Sequence, residues 1–128
     1  MAMRAIRGAT CLSQDNAEEM SEAVGELIAE MLQRNSVAED HVISLFLTGT
    51  PDLRSAFPAA GARLHGLHDV PLMCAQEMDV VGALPQVIRI MAHVETDRSR
   101  ADITHVYLRG AEVLRKDLPH NHRGSADA

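Results

Sequence analysis

The sequence predicts an α+β fold in which five strands lie against one long helix. Three observations carry that expectation. Between residues 17 and 32 apolar side chains recur at three- and four-residue spacing, the period of one helical face. Five other segments are short, apolar and bounded by Gly, Pro, Asn, Asp or Ser. One of them, residues 86 to 94, alternates between two faces. With 128 residues, 46% hydrophobic and 23% charged, the chain has the size and balance of one folded domain, expected over 1–118 with a polar, flexible tail over 119–128.

The elements follow in order. Met3 to Leu12 reads as a first strand, with Gly8 marking a bulge or a close backbone approach. Ser13 to Asn16 supplies helix-start chemistry, Asp15 and Glu18 standing three apart as in a capping box. The helix then runs to about Arg34 and Asn35, its apolar stripe formed by Ala17, Met20, Val24, Leu27, Ile28 and Met31 and its other faces by glutamates. Val42 to Thr48 is apolar on both faces and is expected at the centre of the sheet. Thr50 and Pro51 resemble an N-cap and first helical position, predicting a short helix through Ala56; Pro58 opens another through about Leu64. Val70 to Cys74 is the third strand and Gln86 to Val94 the fourth, with Ile88, Ile90, Ala92 and Val94 facing the helix. Ile103 to Leu108 is the fifth, with His105, Tyr107 and Arg109 on one face.

Composition narrows the function. A net charge of −6 disfavours general nucleic-acid binding, which needs an excess of Lys and Arg on one surface, so any anion must be held by a local arginine cluster. No apolar run approaches the roughly 18–20 residues that span a bilayer, and the N-terminus carries no signal-peptide block, so a cytoplasmic location is expected, with Cys11 and Cys74 as reduced thiols. His120 and His122 have no further ligand types nearby and are not read as a metal site. Aromatic residues make up only 2%, which draws attention to the single Tyr107.

The candidate site comes from polar residues that interrupt apolar segments. Arg7, Arg89 and Tyr107 stand on three strands; Cys74 and Glu77 follow a fourth; Arg63 lies on the short helix. Arginines with a phenol suit a small carboxylate ligand, because a planar guanidinium makes paired hydrogen bonds to a carboxylate. The alternative is an internal ion pair, Glu77 with Arg89. No Ser/His/Asp set, Cys/His pair or metal cluster emerges, so an enzyme built on these residues would act by positioning and electrostatics.

The segments IRGAT (6–10), TPDLRSAFPA (50–59), CAQEMDV (74–80), the Arg89 strand with VETD after it and HVYLRGAEVLRKDL (105–118) occur in an order and spacing that resembles the monofunctional bacterial chorismate mutases of the small trimeric type. That resemblance implies a mixed five-stranded sheet on a long helix, a ferredoxin-like, pseudo α/β-barrel arrangement with three copies closing into a trimer. It implies a cofactor-free rearrangement of chorismate to prephenate, on the route to Phe and Tyr. By position, Arg7 and Tyr107 would hold the enolpyruvyl carboxylate, Arg89 would donate to the ether oxygen, and Glu77 with Cys74 would engage the ring hydroxyl. Met73 would line the substrate too. Phe57, Ala59 and Arg63 would belong to the substrate-binding set, with Phe57 and Arg63 reaching it from a neighbouring subunit. The chain departs from the family at Ala60, where members can carry lysine, at Met73, where they can carry threonine, and at a loop 66–69 one residue shorter. Two other readings of the arginines are a trimeric protein that binds a carboxylate metabolite without converting it and a member of the imine-deaminase group.

Overall fold

In the computed structural model, which describes residues 1–117, the elements are β1 (Ala2–Cys11), α1 (Ala17–Arg34), β2 (Val42–Gly49), α2 (Pro58–Leu64), β3 (Leu72–Gln76), β4 (Val87–Thr96) and β5 (Val106–Tyr107). The alternation of β4 organises them. Ile88, Ile90, Ala92 and Val94 are buried in the core that α1 also enters, while Arg89, Met91 and His93 turn to the opposite face. The sheet is mixed, in the order β3-β2-β4-β1-β5. Strands β1 and β2 both pair antiparallel with β4, whereas β3 joins β2, and β5 joins β1, in parallel. The most central strand is therefore β4; β2 is interior, but the Phe46 side chain on its second face is open.

Helix α1 starts one residue later than the capping-box pattern places it. Asn16 is the cap, its Oδ1 accepting the Glu19 N–H at 3.0 Å. Glu19 turns back to Ser13, accepting its N–H at 2.6 Å, and that bond holds the Glu19 carboxyl below its ordinary range. The apolar stripe of Met20, Val24, Leu27, Ile28 and Met31 is buried as its period requires. The close approach expected at Gly8 is present: a Cβ there would stand 2.5 Å from Met31 Sδ. Helix α2 lies against α1, where a Cβ at Gly61 would stand 2.9 Å from Val24 Cβ.

Two expected elements are altered. No helix forms over 51–56; Thr50, Pro51 and Asp52 make a turn whose side chains reach across to β4 instead. Strand β5 is two residues long rather than six. Its shortening has a specific cause in Asn35, which is fully buried at the end of α1. The Asn35 amide donates to Met31 O and Thr104 O at 2.8 Å each and its Oδ1 accepts the Thr104 N–H at 2.8 Å, drawing Thr104 out of any ladder with β1. His105 fills the place, its Nδ1 accepting the Arg7 N–H at 2.9 Å, which requires that nitrogen to be unprotonated.

Asn35→Ala is expected to lower the unfolding free energy by about 2 kcal/mol, since the groups Asn35 satisfies lose their partners but exposed Thr104 can turn to water. Chemical denaturation beside the parent measures the difference; equal midpoints would show that this connection does not depend on Asn35. No helix among the described residues is long and apolar enough to cross a membrane. The expected tail 119–128, with His120 and His122, lies outside the described residues.

Candidate active site

Strand register assembles the site. Partners in register share a face. The strand pairings set Ala75, Thr48, Arg89, Ala9 and Tyr107 side by side in one row across the sheet, on the face away from α1. The next row on that face runs Met73, Phe46, Met91 and Arg7. Arg89 and Tyr107 are thus two strand spacings apart, about 10 Å, with Ala9 between them in the row and itself covered, only 2% exposed. Arg7 lies two residues along β1 from Ala9, about 7 Å, so three polar groups share this part of the sheet face.

Glu77 joins from the end of β3. Its N–H donates to Gly49 O at 2.9 Å, continuing the parallel ladder, and its carboxylate meets Arg89 Nε at 3.3 Å. Thr48 donates its hydroxyl to the same Glu77 oxygen at 2.5 Å. The ion pair weighed as the alternative does form, yet the Arg89 side chain is 52% exposed and the Glu77 side chain 23%. Water screens a pair this open, so it adds little stability. Only Nε of Arg89 is engaged among the described residues, which leaves the forked end of the guanidinium available.

Cys74 stands elsewhere. Its register partner is Leu47 and its side chain packs against the core, so the thiol faces α1 and not Arg89. The ladder fixed by the Leu45 N–H to Pro71 O and Glu77 N–H to Gly49 O bonds alternates along β3 and directs the Cys74 N–H and C=O away from β2, to the sheet edge. Both cysteines are free, and burial first, then the Glu112 charge, pushes the Cys11 thiol up, away from nucleophilic character.

Phe57, Ala59 and Arg63 lie off this face. Phe57 is exposed at the start of α2, Arg63 is exposed further along it, and α2 packs on α1, across the sheet from Arg89. Ala59 is only 5% exposed, packed within its own chain, and presents little surface to a ligand. Met73 is on the open face and 59% exposed. Arg109, expected beside Tyr107, instead takes a left-handed backbone (φ 53°) and pairs with Glu26 of α1 at 2.8 Å.

Several contributors escape sequence reasoning. Thr48 reads simply as the last residue of an apolar strand. Arg115, whose guanidinium carbon lies 5.8 Å from the Tyr107 ring centre, has no signal beyond its charge. Asp15 accepts the N–H groups of Arg54 and Ser55 at 2.9 and 3.0 Å, and the Arg54 amide in particular holds its carboxyl below the ordinary range. Among the described residues no group of three His, Cys, Asp or Glu is placed to hold a metal ion.

The chain is similar to known proteins along most of its length. The curated chorismate mutase AroH of Bacillus subtilis (strain 168) is 42% identical over 119 residues, covering 92% of this chain and 94% of its own length. Chorismate mutase AroH of Thermus thermophilus is 44% identical over 117 residues, with 91% and 96% covered. A solved chorismate mutase from Clostridium thermocellum superposes with a TM-score of 0.83 at 48% identity, over 85% of this chain and 97% of that one. The family described as chorismate mutase type I matches residues 3–118, and the chain belongs to it.

Proposed function

We propose that the chain converts chorismate to prephenate by electrostatic stabilisation, in a homotrimer whose sites lie between subunits. The observation that carries the chemistry is the half-exposed Arg89 guanidinium, held through Nε by Glu77, whose carboxylate Thr48 holds in turn, and sharing its sheet face with Tyr107 and Arg7. In the rearrangement the ether C–O bond breaks ahead of C–C bond formation. Negative charge gathers on the enolate-like oxygen and positive charge on the ring. A fixed cation at Arg89 and an anion at Glu77 oppose those charges and favour the transition state over the substrate.

Arg7 and Tyr107 hold the side-chain carboxylate, keeping the substrate folded toward its reacting shape. The ring hydroxyl meets Glu77 and the peptide N–H of Cys74, which the edge of β3 presents outward; the thiol takes no part. No proton moves and no bond to protein forms.

Two features support the trimer. The open sheet face exposes Phe46 and Met73 at 44% and 59%, apolar area of the kind that marks an interface. Phe57 and Arg63, moreover, stand exposed on α2, across the sheet from Arg89, where they do not reach the site of their own chain. A neighbouring copy supplies them, Phe57 against the ring and Arg63 toward a carboxylate.

The test is a cofactor-free assay of the purified protein with chorismate, identifying the product. Prephenate is expected. A folded trimer that consumes no chorismate would refute the reading and leave a carboxylate-binding role.

A further inference from the structure

The segment Thr50-Pro51-Asp52 leaves β2 and closes onto the entry of β4. Thr50 and Val87 are joined in both directions: the Thr50 N–H donates to Val87 O, and the Val87 N–H to Thr50 Oγ1, each at 3.0 Å. The Thr50 hydroxyl in turn donates to Asp52 Oδ1 at 2.6 Å. Asp52 accepts the Gln86 N–H, at 3.0 Å through Oδ2 and 3.3 Å through Oδ1. From the other side the Leu12 N–H donates to Gln86 O at 2.9 Å.

What these bonds hold is a strained corner. Gln86 has φ 56°, a left-handed conformation that a residue with a Cβ rarely adopts because the Cβ crowds the following carbonyl oxygen. Such strain persists only where the surroundings over-determine it, and here a carboxylate and two backbone bonds do so. Three residues on stands Arg89. Because side chains alternate along a strand, Arg89 keeps its face only while β4 holds its register with β1 and β2, and the corner fixes where that register begins: a one-residue slip would send Arg89 toward α1.

We propose that Asp52 is a positioning residue for the reaction: with Thr50 it locks the left-handed corner at Gln86 and thereby aims the Arg89 guanidinium. This rests on the chorismate mutase reading and deepens it. Asp52 lies on the loop that leads to Phe57, anchored at Arg54 and Ser55 by Asp15, so one short segment carries both the clamp on Arg89 and the group offered to a neighbour. The role is to hold donors and needs no charge of its own.

The test compares kcat and KM of the parent, Asp52→Ala and Asp52→Asn on chorismate, each verified as a folded trimer. Asp52→Ala is expected to lose about ten- to a hundredfold in kcat with KM within about threefold, the signature of a misplaced transition-state group. Asp52→Asn is expected within about threefold of the parent in kcat, because Oδ1 alone already lies in reach of both donors. Parental kcat in Asp52→Ala, a loss confined to KM, or an equal loss in both variants would overturn the proposal. Should Asp52→Ala not fold, the near-isosteric Thr50→Val carries the same expectation and the same overturning result. A parent that converts no chorismate refutes the underlying reading, whereas failure of the clamp appears only against an active parent.

Discussion

Arg89→Ala will lower kcat by on the order of 10²–10³-fold, about 3–4 kcal/mol, while the protein stays folded and its oligomeric state is unchanged. The fold tolerates the change because the side chain is half exposed and its one ion pair, with Glu77, is open to water. Catalysis does not, because the charge that Arg89 opposes exists only while the ether bond is breaking. The loss therefore falls chiefly on kcat, with a smaller effect on KM. Arg89→Lys should stay severely impaired. Lysine keeps the charge but cannot engage Glu77 through one edge while presenting a planar fork to the ligand. Steady-state kinetics with denaturation curves for all three proteins checks the claim; unchanged turnover in Arg89→Ala would remove Arg89 from the centre of the mechanism.

The second large effect is a recovery. Arg89→Ala and Arg63→Ala subunits, each inactive or nearly so alone, are expected to regain activity when unfolded together and refolded as mixed trimers. A site shared between neighbours is intact when one subunit provides Arg89 and the next provides Arg63. Random assembly of equal amounts in a cyclic trimer makes about a quarter of the sites whole. The result expected is thus about a quarter of parental activity after co-refolding, and none after mixing without subunit exchange. If co-refolding restores nothing although both variants form trimers, Arg63 does not serve a neighbour's site. Arg63 on α2 and Arg89 on the far face of the sheet cannot meet within one chain as it stands, and this experiment tests the consequence directly.

Much of this was legible in the residues. Alternation in 86–94 located β4, its core face and Arg89, because a period of two is a local property of the chain. The failures in placing strands, helices and caps involve partners distant in sequence. The expected strand 103–108 ignores Asn35, which captures both backbone groups of Thr104 from 69 residues away. Thr50-Pro51-Asp52 has the residue types of a helix start, but the same hydroxyl and carboxylate serve equally well to grip a neighbouring strand, and only the fold decides which donors are near. Asn16 took the cap expected of Asp15, which was drawn instead to Arg54 and Ser55. Cys74 is a different case. Its odd separation from Glu77 already implies opposite faces along an extended chain, so parity alone argues against the thiol and the carboxylate meeting one ligand.

A binding surface made of rows across a sheet is a lattice. Positions for polar groups come in steps of one strand, about 4.8 Å, in one direction and two residues, about 7 Å, in the other. The distances are set by backbone hydrogen bonding and hardly respond to side-chain substitution. What substitution can change is the occupant of each lattice point. Ala9 is a lattice point already covered, only 2% exposed, so a larger residue there would press on its neighbours in the row, Arg89 and Tyr107, while the backbone spacing between them stayed the same.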